Sequence, residues 1–256
     1  YHVINRGNAG GNIFKTKKDR EKFLDYLIKA VERFSITIHA YCLMTTHYHL
    51  LAETPKANLS AAIQWLSVSY AVYYNRRHQR RGHLFEGRFK ALLIEADAYL
   101  QELSRYIHLN PVRAKLVENP AAFKWSSYLA FIGRTKAPGW LETRRVLGYF
   151  GRKKRNAVKN FKLFVEGIDT ANLENPSNRA TGGFILGDVD FVQWVKEEFL
   201  HKREEEKEIP QLQVLTSKIS LERIMRSICD EFGCQERQIR EKGRKRNRAR
   251  ELAIYL

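Results

Sequence analysis

Cysteine is scarce in this chain, and what there is forms no pattern. Cys42, Cys229 and Cys234 are the three cysteines among 256 residues. They make neither an even disulfide framework nor a zinc-ligand spacing. No stretch approaches the roughly 20 apolar residues of a membrane-spanning helix, and no signal peptide is visible. These absences fit a reducing cytoplasm. Acid is also in short supply: 28 Asp and Glu stand against 45 Lys and Arg, a formal charge of +17. Such an excess favours polyanions through counterion release, so nucleic acid is the expected partner. An anionic membrane surface comes second, because no strongly amphipathic basic helix argues for it. A hydrophobic content of 44% suffices for a core, and the length suits one large domain or one domain with a smaller companion.

Read in order, Tyr1 to Arg6 alternates as a strand and breaks at Gly7-Asn8. Phe23, Leu24, Leu27, Ile28 and Val31 recur at helical spacing within residues 18–34. Residues 35–44 are β-branched and aromatic and read as a strand, which Thr45-Thr46 links tightly to a second one beginning at His47. A helix is expected over about 60–76, a strand over 84–95, and a helix over 97–110 with Asp97 as N-cap and Pro111 ending it. The first six elements run β-α-β-β-α-β. That order belongs to the ferredoxin-like α+β class, an antiparallel sheet with helices on one face. A further helix is expected over 141–150, a basic stretch over 151–162, a loop over 169–183 and a short helix over 191–199. Pro210 marks a boundary, after which residues 220–232 read as helical.

The chemistry concentrates at Met44-Thr45-Thr46-His47-Tyr48-His49. Side chains alternate along a strand, so His47 and His49 share a face while Tyr48 takes the other. Two imidazoles so placed can grip one divalent cation, or can be two polar residues on a solvated face. The helix ending at Asn110 offers Tyr106 and Asn110 at i and i+4, on one helix face. An amide oxygen from Asn110 would complete a site suited to Mn²⁺, with Mg²⁺ an alternative. A phenol is a poor nucleophile at neutral pH. A cation polarising a phosphate reduces that demand, so Tyr106 near such a site suits phosphoryl transfer. The plain alternative is a tyrosine packed in the core. His39 and His108 read as structural.

His47-Tyr48-His49 matches the His-hydrophobic-His signature of the HUH single-strand DNA endonucleases. The surrounding text resembles the REP-associated single-tyrosine transposases. The matching pieces are Tyr1-His2-Val3, Asn5-Arg6-Gly7-Asn8, Ile38-His39-Ala40-Tyr41, Gly82-His83-Leu84-Phe85, Gly87-Arg88-Phe89-Lys90, Tyr106 to Ala114 and Trp125-Ser126-Ser127-Tyr128. The likeness covers roughly residues 1–150. It implies a ferredoxin-like catalytic domain, a divalent metal, and single-stranded or hairpin DNA cut through a 5′-phosphotyrosine. It also implies Tyr106 as nucleophile with His47, His49 and Asn110 as ligands. That family usually has Pro-Asn before the first histidine, where this chain has Thr45-Thr46.

Other residues have DNA-contacting expectations. Arg6 and Asn8 follow the first strand, and Arg76, Arg77, Arg80 and Arg81 could track phosphates. Phe85 could stack on a base, and Arg88, Lys90 and Arg113 lie near the expected site. Each has a solvated basic face as its plain alternative. Residues 220–256 resemble the DNA-binding domain of the bacterial replication initiator, which implies a helix-turn-helix on duplex DNA. Its cations are Arg237, Arg240, Lys242, Arg244, Lys245, Arg246, Arg248 and Arg250. The expected organisation is therefore a catalytic domain over 1–150, a linker with short helices over 151–210 and a helical DNA-binding domain over 211–256. A monomer or a homodimer fits equally. Two rival readings are a catalytically inactive regulator that binds hairpin or duplex DNA, and an RNA-binding ferredoxin-like module.

Overall fold

The structure is a computed structural model that describes residues 1–170 and 173–200, with Arg226, Ile228, Cys229 and Phe232. Two compact units divide the chain, Tyr1–Val195 and Lys196–Leu256. Of the second, Lys196–Leu200 form a π-helical stretch, and the four separate residues lie in helical backbone. The expected Pro210 boundary, nearly all of the 220–232 helix and the basic run at 237–250 lie outside the described residues.

The first unit begins with β1 (His2–Arg6), α1 (Lys17–Phe34), β2 (Thr37–Leu43) and β3 (His47–Glu53). It continues with α2 (Leu59–Arg77), β4 (Lys90–Ile94) and α3 (Ala96–Arg113). Thr16 and Asp19 close a reciprocal capping box that starts α1. The sheet order is β2-β3-β1-β4-β5, and the first four strands pair antiparallel as the ferredoxin-like reading expects. Ile185–Leu186 (β5) joins β4 in parallel, so the complete sheet is mixed rather than antiparallel.

Helices cover both faces, not one. Tyr48, Leu50 and Val3 pack with Phe23, Leu27, Ile63 and Leu66 of α1 and α2. The alternate residues Ala40, Cys42, Leu51 and Leu92 pack with Leu103 and Ile107 of α3. Both alternating sets are apolar, so either face left open would expose core surface to water. On the outer side of α3 lie α4 (Tyr128–Phe131), α5 (Arg144–Gly148) and α6 (Lys154–Glu166), with α7 (Val189–Val195) following β5. The basic stretch at 151–162 thus lies largely in α6, whose Ala157, Phe161 and Val165 are buried one turn apart.

Three local expectations are corrected. The strand expected over 84–95 is shortened to Lys90–Ile94, because β1 ends at Arg6 and leaves only an isolated bridge, Gly7 to Phe85, to pair with the residues before it. Pro111 lies inside α3 and does not end it; it forfeits one N–H in the last turn, where the ladder is ending anyway. Glu95, not Asp97, occupies the N-cap position, and Asp97 accepts a hydrogen bond from the Tyr149 hydroxyl at 2.7 Å. The turn after β1 depends on Gly7, where a Cβ would lie 2.0 Å from the Gly11 carbonyl oxygen.

Candidate active site

The register of β1 on β3 sets the site. Ile4 pairs with His49 and Arg6 with His47, so His2, Ile4 and Arg6 share a face with the two histidines. That face lies under α3. The rings of His47 and His49 are 4.9 Å apart and edge-on. Tyr106 descends from α3 with its ring 5.9 Å from His49 and 5.9 Å from His2, edge-on to both. It is 4% exposed. Asn110 lies one turn further along, buried, with its amide nitrogen donating to the Tyr106 carbonyl at 2.8 Å. Arg113 completes the stripe, its guanidinium 5.0 Å from the centre of the Tyr106 ring. The structure therefore brings Tyr106 to the histidine face, with Arg113 over its ring and Asn110 one turn further along the same helix.

His2 belongs there too, and sequence reasoning missed it as a site residue. Its Nε2 lies 3.0 Å from His49 Nδ1, and the two rings are nearly parallel with centres 5.2 Å apart. Period-two alternation along β1, combined with antiparallel pairing to the histidine strand, would have found it.

Burial keeps these imidazoles uncharged. Desolvation pulls His2 down to about 3 from an ordinary 6.5. Desolvation likewise drives His49 well below its ordinary range, and the fields of His2, His47 and Arg113 add to it. His47 is lowered by burial and then by Arg6. Neutral imidazole is the form that ligates a metal.

The donor set fits a divalent cation. His49 Nε2 is buried and has no hydrogen-bond partner, as expected of a nitrogen reserved for a ligand. With its amide nitrogen committed to Tyr106, Asn110 would present Oδ1. Among the described residues no group of three or more His, Cys, Asp or Glu side chains is arranged to hold a metal. A bound ion would therefore draw on the two imidazoles and the amide.

The remaining expected contacts scatter. Lys90 is exposed and pairs with Ile4 from the side opposite His49, so it shares the histidine face. Arg88 is exposed just before it. Arg6 is paired with Glu86, with Nη2 3.0 Å from Oε1. Asn8 is exposed in the turn after β1, and its backbone N–H bonds the Leu84 carbonyl at 2.9 Å. Arg76, Arg77, Arg80 and Arg81 lie at and just beyond the C-terminal end of α2, the helix on the other face of the sheet. Arg77 is engaged 3.4 Å from the buried Asp19. Phe85 is corrected: it is buried and packs edge-on against Tyr48 at 6.2 Å, so its ring belongs to the α1/α2 core and is not offered to a base. The eight cations from Arg237 to Arg250 lie outside the described residues.

No curated protein matches the chain. Among solved structures it is similar to a REP-associated tyrosine transposase bound to a REP hairpin. The identity is 16%, 55% of this chain and 82% of that chain are covered, and the TM-score is 0.42. Residues 1–110, which hold β1 to β4 and α3 as far as Asn110, match the family model described as "Transposase IS200 like".

Proposed function

We propose that the chain is a metal-dependent tyrosine transposase that nicks and rejoins single-stranded DNA beside a hairpin. One observation carries the reading: Tyr106 is held over a paired-histidine strand face, one helical turn from Asn110 and beneath the Arg113 guanidinium. Tyrosine, imidazoles, amide and guanidinium together suit phosphoryl transfer.

The step exchanges one phosphodiester for another. The Tyr106 oxygen bonds to phosphorus and its proton leaves, while the bond from phosphorus to the 3′-oxygen breaks and that oxygen takes up a proton. The products are a 5′-phosphotyrosine and a free 3′-hydroxyl, and the reverse attack rejoins the strand. Mg²⁺ or Mn²⁺, held by His47, His49 and Asn110, would supply Lewis-acid polarisation of the phosphate. Arg113 offsets charge on the phosphate oxygens. The apolar surround of Leu51, Leu103 and Ile107 limits water. Of the remaining cations, Lys90 and Arg88 are placed to hold backbone phosphates, and those at 237–250 suit flanking duplex.

The test incubates a labelled single strand bearing a hairpin with the protein and Mn²⁺ or Mg²⁺. A covalent adduct is expected with the unaltered chain and none with Tyr106→Phe. Tight binding with no adduct under either metal refutes the enzyme and supports a DNA-binding regulator.

A further inference from the structure

The contact between His2 and His49 has a direction that the chemistry of the site restricts. Both rings are buried, His2 at 0% and His49 at 3% exposure, with no carboxylate beside them among the described contacts. An imidazolium there would be an uncompensated buried charge. Two neutral imidazoles share one hydrogen bond, so one must donate and the other accept. If His2 donates, His49 Nδ1 spends its lone pair and the His49 proton sits on Nε2. That would close the nitrogen that is buried without a protein partner. If His49 donates from Nδ1, Nε2 keeps its lone pair.

We infer that His2 is a positioning residue which accepts a hydrogen bond from His49 Nδ1–H and thereby holds His49 Nε2 open as a ligand atom. The inference rests on the metal-binding reading above and adds the residue that selects the ligand's tautomer. A ligating histidine ordinarily donates its second nitrogen to a carboxylate or carbonyl; here a neutral imidazole takes that place. The substitution has a reason in the surroundings. A carboxylate at position 2 would be a buried charge under α3, beside the phenol of Tyr106, and would oppose the approach of a phosphate. An imidazole accepts the same hydrogen bond without that charge. The nearly parallel rings, 18° apart, let this hydrogen bond run close to both ring planes, which also fixes the tilt of the ligand ring.

His2 then carries its own proton on Nδ1, an atom that is buried without a partner. That unpaired donor is a cost of the arrangement, and it makes the assignment readable because both protons are predicted to lie on named nitrogens.

The experiment uses the full chain with histidine labelled with ¹⁵N, free of metal and near neutral pH. Long-range proton–nitrogen correlation spectra report the tautomer of each ring. The expected result is His49 protonated on Nδ1 and His2 protonated on Nδ1. His49 protonated on Nε2 overturns the inference, and this reading needs no variant to fold. In a second arm, Mn²⁺ affinity is followed by the electron spin resonance of the free ion. His2→Phe keeps an aromatic ring and removes the acceptor, and it is expected to weaken Mn²⁺ binding by about 10- to 100-fold. His2→Gln offers an amide oxygen and is expected to recover most of the loss. Wild-type affinity in His2→Phe, or equal losses in both variants with both folded, overturns the positioning role. If the wild type fails to bind Mn²⁺ while His49 is protonated on Nδ1, the metal reading of the preceding subsection falls and His2's role toward a metal falls with it, while the direction of the hydrogen bond stands.

Discussion

His108→Leu should flatten the acid sensitivity of the fold by an amount the structure allows to be worked out. His108 lies two residues from Tyr106 on α3, so it points away from the site, and its ring packs among Tyr128, Phe131 and Phe161 on the helix's outer side. Its Nε2 contacts Ser127 Oγ at 2.7 Å. Desolvation holds the imidazole at about 3, against an ordinary 6.5. The folded value lies below the unfolded one, so between these limits the unfolded chain binds the proton and the folded chain does not. Stability from this group is complete above 6.5 and drains away as the pH falls toward 3. At about pH 5 the unfolded imidazole is about 1.5 units below its midpoint, and each unit is worth about 1.4 kcal/mol, so the loss is about 2 kcal/mol. The figure depends little on the folded value, provided that value lies well below 5. Leucine fills similar space and cannot titrate. Ser127 keeps its bonds with Tyr41, accepting from the N–H at 2.9 Å and donating to the carbonyl at 3.3 Å. Urea denaturation of both proteins at about pH 7.5 and about pH 5 measures the effect. The stability difference between the two pH values should be smaller by about 2 kcal/mol in the variant. An unchanged difference would refute this and mean that His108 is not held neutral on the outer side of α3.

Two further outcomes follow from other parts of the molecule. Asp19 is buried, closes the α1 capping box, and faces His78 at 3.0 Å and Arg77 at 3.4 Å. Asp19→Ala strands these groups and should cost about 2–4 kcal/mol, read as a lowered midpoint in thermal unfolding; a change within about 0.5 kcal/mol would contradict that. Arg113→Gln should weaken single-strand binding and reduce the slope of log affinity against log salt by about 0.7, as expected for one lost phosphate contact. An unchanged slope would limit Arg113 to its packing on Tyr106.

Much of the candidate site's geometry was legible because its parts are local in sequence. Period two places His47 with His49, and period 3.6 places Tyr106 with Asn110, whatever the rest of the fold does. The element order also carried the four-stranded arrangement. What stayed hidden depends on pairing between distant segments. His2 enters the site through a register with β3 that a single strand does not display. The expectation of helices on one face failed because both alternating sets of β3 side chains are largely apolar and need cover. Phe85 read as available for a base because it sits in a basic stretch; its burial comes from a bridge to Gly7 and a ring contact with Tyr48. Pro111 read as a stop because the proline rule is strongest in mid-helix and weakens in a last turn.

The arrangement has a common logic on its two sides. Between the two histidines stands Tyr48, fully buried on the opposite face, its ring 4.7 Å from Phe23. Between Tyr106 and Asn110 stands His108, fully buried against the outer helices. Each candidate pair is thus fixed from behind by the side chain that interrupts it. The proposed phosphoryl transfer would need its groups held within about 0.5 Å, and a strand or a helix alone does not supply that. Packing of Tyr48 and His108 into two separate cores does, because a shift that moved either functional pair would also have to open a filled interior. The spacing of each pair and the burial of the residue inside it are two parts of the same requirement. A large-to-small change at Tyr48 would therefore disturb the histidines without touching any group they contact.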